Sequence, residues 1–392
     1  MNVHEIRGKV DFAIITVRED EFRAVLDHFP PQDQVTGGGR RHSVTRVPVS
    51  PSQSYLVTVT RCVEQGAGEG QQTAQMTIDD LDPQWLMVVG ITGAVPSDEY
   101  TLGDVIAPIR MHDFCVTADI EGALEEYAVA GGPMHVDVQN FLANLPARDA
   151  DLKGWNDENK IGFPCPAISL DTALFYGDRE WQKATRNTLA GHFAPNGTRR
   201  EPKYVIGCIA SSNRLVKSTS TIRAWTRYAR HLLAVEMELA GIYRAARQPD
   251  REYPILVIRG ISDIIGYNRD AKWIAYACRS AAAFARAAIG LMPIKPRMDG
   301  GGDGVDRPEI IELLFRYLED ACDEDNLAKV CLILKIHKGN ILVEKQTHER
   351  HAANLVEYLK SRKGTVKSLV DYAVRDLQQR RHPLYTEFRD AL

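Results

Sequence analysis

The chain has 392 residues, 44% of them hydrophobic and 26% charged, with a formal net charge of −4. That balance describes a globular protein with ample core material and, at this length, two domains. It excludes the strongly basic surface that broad nucleic-acid binding requires. No apolar run approaches the roughly 18 residues that cross a bilayer, and the first residues carry no signal-peptide core. Seven cysteines are scattered without a CxxC pair. The expectation is a reduced, cytoplasmic protein with no metal, no cofactor and neither a membrane nor a nucleic-acid partner.

In chain order, Val10–Val17 is a short β-rich apolar run and reads as a buried strand. From Glu19 to Phe29 the residues Phe22, Val25, Leu26 and Phe29 share one helical face. Tyr55–Cys62 reads as a second strand, then a glycine-bearing turn (GAGEG) and a helix from about Gln71 to Leu81. Trp85–Ile91 and Gly103–Pro108 read as the third and fourth strands. The segment from Phe114 to Arg200 is less regular and is expected to shape or cover a pocket. Strands are expected at Tyr204–Ala210 and Ile255–Arg259, and helices at Leu239–Arg247 and Ala271–Ile289. Strands separated by helices predict an α/β fold with a mixed, mostly parallel sheet flanked by helices. The stretch 293–307, rich in Gly and Pro, reads as a linker between a domain at 8–292 and one at 308–392. Beyond it, Ile311, Leu314, Leu318, Leu327, Val330, Cys331 and Leu334 recur at helical spacing, followed by runs at 352–359 and 366–377. These predict a small all-α bundle. His348 and His351 are expected in solvent there.

Ligands in such sheets sit at the carboxyl ends of strands, and four motifs fall there. They are Thr16-Val17-Arg18-Glu19-Asp20-Glu21, Gly90-Ile91-Thr92-Gly93-Ala94-Val95, Val235-Glu236-Met237-Glu238-Leu239-Ala240-Gly241 and Arg259-Gly260-Ile261-Ser262-Asp263. Singly they read as a first-turn carboxylate, a tight turn or a helix cap. Together, in order, they indicate a ligand site.

Over residues 10 to 290 the chain resembles the nucleoside phosphorylase superfamily, and within it the nucleosidase branch typified by methylthioadenosine/S-adenosylhomocysteine nucleosidase. VEME followed by RGISD, and GITGAV followed by LGDVIAP, carry the resemblance. It implies a hydrolase that cleaves the N-glycosidic bond of a purine nucleoside or nucleotide, ATP and dATP included. By resemblance, Asp263 is the acid at N7 of the leaving purine, and an apolar enclosure is expected to hold its proton. Glu21 activates the attacking water, with Glu236 beside it. Glu238 accepts from the ribose hydroxyls and Met237 packs on the sugar. Thr92, Gly93, Ala94 and Ser262 line the site, and Arg214, Leu215 and Val216 hold the base. Ser212 and Ala94 stand where relatives have glycine. Arg214, Lys217, Arg223, Arg40 and Arg41 are cations that can meet a 5′-phosphate. Two alternatives are a phosphate-dependent phosphorylase and a nucleotide-binding adaptor without catalysis. Relatives are commonly homo-oligomers, so a homo-oligomer is expected.

Residues 308–392 resemble bacterial effector-associated domains of death-fold-like architecture, on Phe315-Arg316-x-Leu318, Leu327-Ala328-Lys329-Val330-Cys331 and Ala353-Asn354-Leu355-Val356-Glu357-Tyr358-Leu359. That implies a protein partner recruited through this domain, in the manner of an anti-phage effector that destroys a nucleotide pool.

Overall fold

The computed structural model describes residues 2–50, 53–118, 126–193 and 200–297, then 308–321, 330–331, 350–351, 354–355 and 365–391. The chain divides into two compact units, Met1–Pro296 and Arg297–Leu392.

The first unit opens with α1 (Val3–Ile6), β1 (Phe12–Thr16) and α2 (Glu19–His28), then β2 (Asp33–Gly37), β3 (Arg40–Ser50) and β4 (Gln53–Arg61). Next come α3 (Ala67–Leu81), β5 (Trp85–Ala94), β6 (Val105–Asp113), and the short β7 (Thr117–Ala118), β8 (Glu126–Tyr127) and β9 (Ala130–Pro133). Helices α4 (Val136–Ala143), α5 (Asp149–Leu152), α6 (Glu158–Ile161) and α7 (Arg179–His192) fill the region expected to be irregular. The unit ends with β10 (Tyr204–Ser211), α8 (Thr219–Tyr228), β11 (Leu232–Glu236), α9 (Leu239–Ala246), β12 (Ile255–Ile264) and α10 (Lys272–Gly290).

The main sheet runs β11-β10-β6-β12-β5-β1-β4-β3-β2, with β9 on β6. Its centre is parallel, β1 pairing with β4 and β5, β12 with β5, and β10 with β6 and β11. Antiparallel pairing adds β3 and β2 at one edge. It also joins β11 to β5, so β5, β12, β6, β10 and β11 close into a ring. The sheet is thus mixed, and ring closure explains why β5, β6 and β12 extend three to five residues beyond the expected apolar runs. Those extensions carry Thr92, Gly93, Ser262 and Asp263.

Two helix pairs flank the sheet, α2 with α10 and α3 with α9. The α3–α9 contact corrects the reading of GAGEG as a turn, because α3 already begins at Ala67. Gly66 makes the entry at φ 110°, a conformation that only glycine adopts without strain. Gly70 and Gly241 lie inside helices because the backbones touch there. A Cβ on Gly241 would sit 1.7 Å from the Ala67 carbonyl oxygen, and one on Gly70 2.9 Å from that of Glu238. The helix end that bears Glu238 is thereby pressed against the start of α3.

The expected linker begins as an ordered strap of the first unit. The Ile294 carbonyl accepts from the Tyr55 hydroxyl, and that of Lys295 from the Gln84 amide at 3.0 Å. Residues 298–307 lie outside the described residues.

In the second unit the described residues are helical: Pro308–Arg316 runs into a π-helical turn, Tyr317–Ala321, and Thr365–Arg380 is followed by Leu384–Ala391. Ile310, Leu314, Leu318, Val330, Cys331, Leu369, Leu377 and Phe388 form its core. Arg316 binds Glu387 through both carboxylate oxygens, at 2.6 and 3.3 Å. His351 is buried, contrary to the solvent position expected of it, because its helical turn faces this core. Leu327, Leu334, His348 and most of the 352–359 run lie outside the described residues.

Gly241→Ala tests the helix contact. With backbone as the obstacle, overpacking of about 1–3 kcal/mol or more is expected, read as a lowered melting temperature of the full chain by circular dichroism.

Candidate active site

Four strand ends and the start of α3 converge on a cavity of about 350 Å³, within the range that encloses most of a small ligand. Of the expected residues, Glu21, Thr92, Gly93, Arg214, Leu215, Val216, Glu236, Met237, Glu238, Ser262 and Asp263 line it. Ala94 does not. It is fully buried one residue too far along β5, where its carbonyl accepts from the Ile265 N–H at 2.9 Å. Neither Ala94 nor Ser212 has a positive φ, so the glycines of relatives are not needed for backbone reasons at either place.

The carboxylates group around one buried cation. Arg259 on β12 and Glu236 at the end of β11 are each 1% exposed and 2.5 Å apart. Glu238 lies 3.8 Å from the same guanidinium group. Arg259 pairs with Gly90 across the sheet. There a Cβ would fall 2.4 Å from Arg259 Nη1 and 2.5 Å from Glu21 Oε1, so only glycine lets these two groups face each other. Burial works against the Arg259 charge, but Glu236, Glu238 and Glu21 outweigh it and raise its pKa further.

Each carboxylate has its own backbone donors. Glu236 accepts from the N–H of Glu238 at 3.1 Å and of Leu239 at 3.0 Å, so it satisfies the first amides of α9 while it holds Arg259. Oε2 thus carries the Arg259 contact and both amides, while Oε1 accepts from Leu239 N–H alone, at 3.1 Å. Glu238 accepts from the Gly66 N–H at 3.1 Å, at the start of α3. Burial, then the nearby Glu236 and Glu21 charges, push its pKa up to about 7 against the pull of Arg259. Glu21, in the first turn of α2, accepts from Val17 N–H and Arg18 N–H through Oε2 and from Ile91 N–H through Oε1, each at 2.9 Å. Those three amides form a concave anion site, and the chain fills it with its own carboxylate. Arg18 is likewise clasped by Asp20, at 2.9 and 2.7 Å, a pairing that raises the arginine pKa.

At the other end, a bulge in β12 between Ile261 and Asp263 turns Asp263 into the cavity. The expected apolar enclosure is not what the structure provides. The side chain is 39% exposed, paired with Arg269 at 3.0 Å, and accepts from the Ser262 hydroxyl at 2.6 Å. Arg269 follows Asp263 by six residues, in an irregular loop beyond the strand, so no periodicity marked it. Tyr176, from the segment expected to shape the pocket, lines the same end. Arg18, Gln65, Tyr267 and Asn268 also line the cavity without having been expected as ligand-contacting residues.

Among the candidate cations for a 5′ group, Arg214 and Lys217 reach the cavity. Arg40 is half-buried and paired with Glu69 at 2.7 Å and Arg223 is bound to Asp178 at 3.0 Å, while Arg41 lies exposed on β3.

No curated protein matches the chain. Among solved structures, 5′-methylthioadenosine/S-adenosylhomocysteine nucleosidase from Helicobacter pylori is 14% identical with a TM-score of 0.47, covering 71% of this chain and 97% of that one. The MTA/SAH nucleosidase of Streptococcus pneumoniae is 18% identical with a TM-score of 0.47, over 72% and 99%. Futalosine hydrolase of Helicobacter pylori is 15% identical with a TM-score of 0.45, over 73% and 98%. The sequence profile of the phosphorylase superfamily matches residues 11–290, and the chain belongs to that superfamily.

Proposed function

We propose that the first unit hydrolyses the N-glycosidic bond of a purine nucleoside or nucleotide. The observation that carries this reading is the amide site occupied by Glu21. A phosphorylase needs that kind of concave site, with arginines, for an external oxyanion. Here Glu21 fills the amides and Asp20 occupies Arg18. A carboxylate has about four acceptor positions, so three amide bonds leave Glu21 one, on Oε1, for a water.

That water faces C1′ of a ribose whose hydroxyls are held by Glu238, with Met237 against the sugar. Glu21 takes one proton of the water as its oxygen bonds to C1′. The C1′–N9 electron pair leaves with the purine toward Asp263 and Arg269. The ribosyl group becomes cationic on the way, and Glu21, Glu236 and the ionised form of Glu238 supply negative charge beside it. Lys217 and Arg214 support a substrate with an anionic 5′ substituent, with ATP and dATP to be tested beside adenosine and methylthioadenosine. The resemblance of residues 308–392 to effector-associated domains supports a role for the second unit in recruiting the enzyme to a partner, as an anti-phage effector would require.

Chromatography of reactions with those four substrates is expected to show free base at the same rate with and without phosphate. Strict phosphate dependence makes the enzyme a phosphorylase, and no base from any purine substrate leaves a binding protein. Glu21→Gln sets an amide N–H2 against backbone donors and removes the base, so the rate falls by about 100-fold or more and the melting temperature drops.

Glu238 supplies a pH signature. Its folded pKa lies above the ordinary glutamate value of 4.5, at about 7. Its contribution to stability is therefore present below pH 4.5 and lost as pH rises through 7. The ionised form accepts from the ribose, so kcat/KM rises over the same interval. Glu238→Gln should flatten both profiles between pH 5 and 8 and lower kcat/KM by about 10- to 100-fold. A chain ending at Arg297 should remain soluble and release base at the full-length rate; insolubility would count against an independent first unit.

A further inference from the structure

Helix α3 begins with a problem that its own sequence cannot solve. The first amides of a helix have no partner within it, and the usual remedy is a Ser, Thr, Asn or Asp side chain at the cap. Here the cap position is Gly66, held at φ 110°, and it has no side chain to offer. The cap comes instead from the loop after β10, where Asn213 Oδ1 accepts from the Ala67 N–H at 3.0 Å. The backbone just before Asn213 is anchored: Ser212 N–H donates to the Glu236 carbonyl at 3.0 Å, and the Ser211 hydroxyl accepts from Ala240 N–H at 2.9 Å. Ser211 and Ser212 are buried, but Asn213 itself is exposed, so its side chain is not there to fill a core.

The next amide toward the N-terminus, that of Gly66, donates to Glu238 Oε1 at 3.1 Å. Two successive N–H groups at one helix end therefore hold two partners, a loop side chain and a cleft carboxylate. Helix α3 has 15 residues, and its aligned peptide dipoles place partial positive charge at this end. The other groups that face Glu238 are Glu236 on β11, Glu21 on α2, Arg259 on β12 and Cys62 just past β4. Burial and the two carboxylates oppose its charge, while Arg259 and the Gly66 amide favour it. The contribution of the amide depends on how firmly the first turn of α3 is held. Helix ends fray, and a glycine at the cap adds conformational freedom of its own.

We propose that Asn213 is a positioning residue for the sugar end of the cleft: by capping α3 from outside, it holds the Gly66 N–H and the positive end of the helix on Glu238. That carboxylate is thereby kept ready to accept from the ribose hydroxyls. The part played by Glu238 in turnover rests on the hydrolase reading above, whereas the capping of α3 does not.

The test uses the full chain as wild type, Asn213→Ala, Glu238→Gln and the double variant, with base release from adenosine followed from pH 5.5 to 9. Loss of the cap should lower the melting temperature by about 2–4 °C. With the helix end released, the acid limb of kcat/KM moves toward higher pH by about half a unit. Asn213→Ala therefore falls about threefold below wild type at pH 6 and returns to the wild-type rate as Glu238 ionises fully. In the Glu238→Gln background the same substitution should leave the pH profile unmoved, because the group it acts through is gone. Asn213→Asp offers the same acceptor and should keep the wild-type melting temperature.

A second readout needs no turnover. The stability that Glu238 contributes is lost as pH rises through its folded pKa, so the melting-temperature difference between wild type and Glu238→Gln titrates with pH. The same difference measured in the Asn213→Ala background should titrate about half a unit higher. A limb and a melting-temperature titration that both stay in place overturn the proposal even where stability falls, since a purely structural cap would lower stability alone. An equal shift of the pH profile with and without Glu238 also overturns it. So does a melting temperature in Asn213→Asp as low as in Asn213→Ala, because the acceptor is then not what holds the helix. No base from any purine, with the melting-temperature titration still moved, removes the hydrolase reading and leaves the hold of Asn213 on Glu238 supported.

Discussion

The guanidinium of Arg259 and the carboxylate of Glu236 meet at 2.5 Å with 1% of either side chain exposed. Removing two such charges from water costs several kcal/mol per ion, and only close pairing with further hydrogen bonds offsets it. The surrounding architecture meets that requirement. Strand β11 must end at Glu236 and α9 must begin at once, so that the first amides of the helix bind the carboxylate. Strand β12 must lie against β5 with Arg259 opposite Gly90, since any larger residue would fill the gap to Glu21. Helix α3 must lie close enough for Gly66 to hold Glu238, which is why Gly70 and Gly241 stand at the helix contact.

Three carboxylates around one guanidinium leave a surplus of negative charge. The fold eases that surplus by raising the pKa of Glu238. In the hydrolysis proposed above, a sugar that acquires positive charge on its way to the transition state relieves the same strain. Interactions that strengthen only then are the ones that accelerate a reaction. The ion pair that fixes the local structure therefore also sets the field in which the chemistry occurs.

The apolar strands were legible because β1, β5 and β12 are buried along their length and their runs are continuous. Their ends were not, since the residues that close the ring are Thr92, Gly93, Ser262 and Asp263, which carry no strand signal of their own. Strands β2 and β3 escaped for a related reason. Their sequence DQVTG and RRHSVTRVPVS mixes arginines with buried His42, Ser43 and Thr45, and the His42 ring is held inside by a 2.6 Å contact with Thr60. The expected site residues were legible as a set through family resemblance, and the cavity gathers all of them but Ala94. What escaped was the loop conformation that brings Arg269 onto Asp263. A cation six residues beyond a strand motif has no spacing rule to announce it.

The distribution of partners separates the two ends of the cleft. At the sugar end three anion-binding features are neutralised from within: the amides after β1 and in β5 by Glu21, Arg18 by Asp20, Arg259 by Glu236. A free phosphate would have to displace a carboxylate tethered a few residues away, which competes at a high effective concentration, whereas a neutral water needs only the one acceptor position left on Glu21. At the base end Arg269 keeps Nη1 uncommitted beside a half-exposed Asp263. For the hydrolysis proposed above, internal neutralisation at one end and an open donor at the other suit water as the nucleophile and a purine as the leaving group.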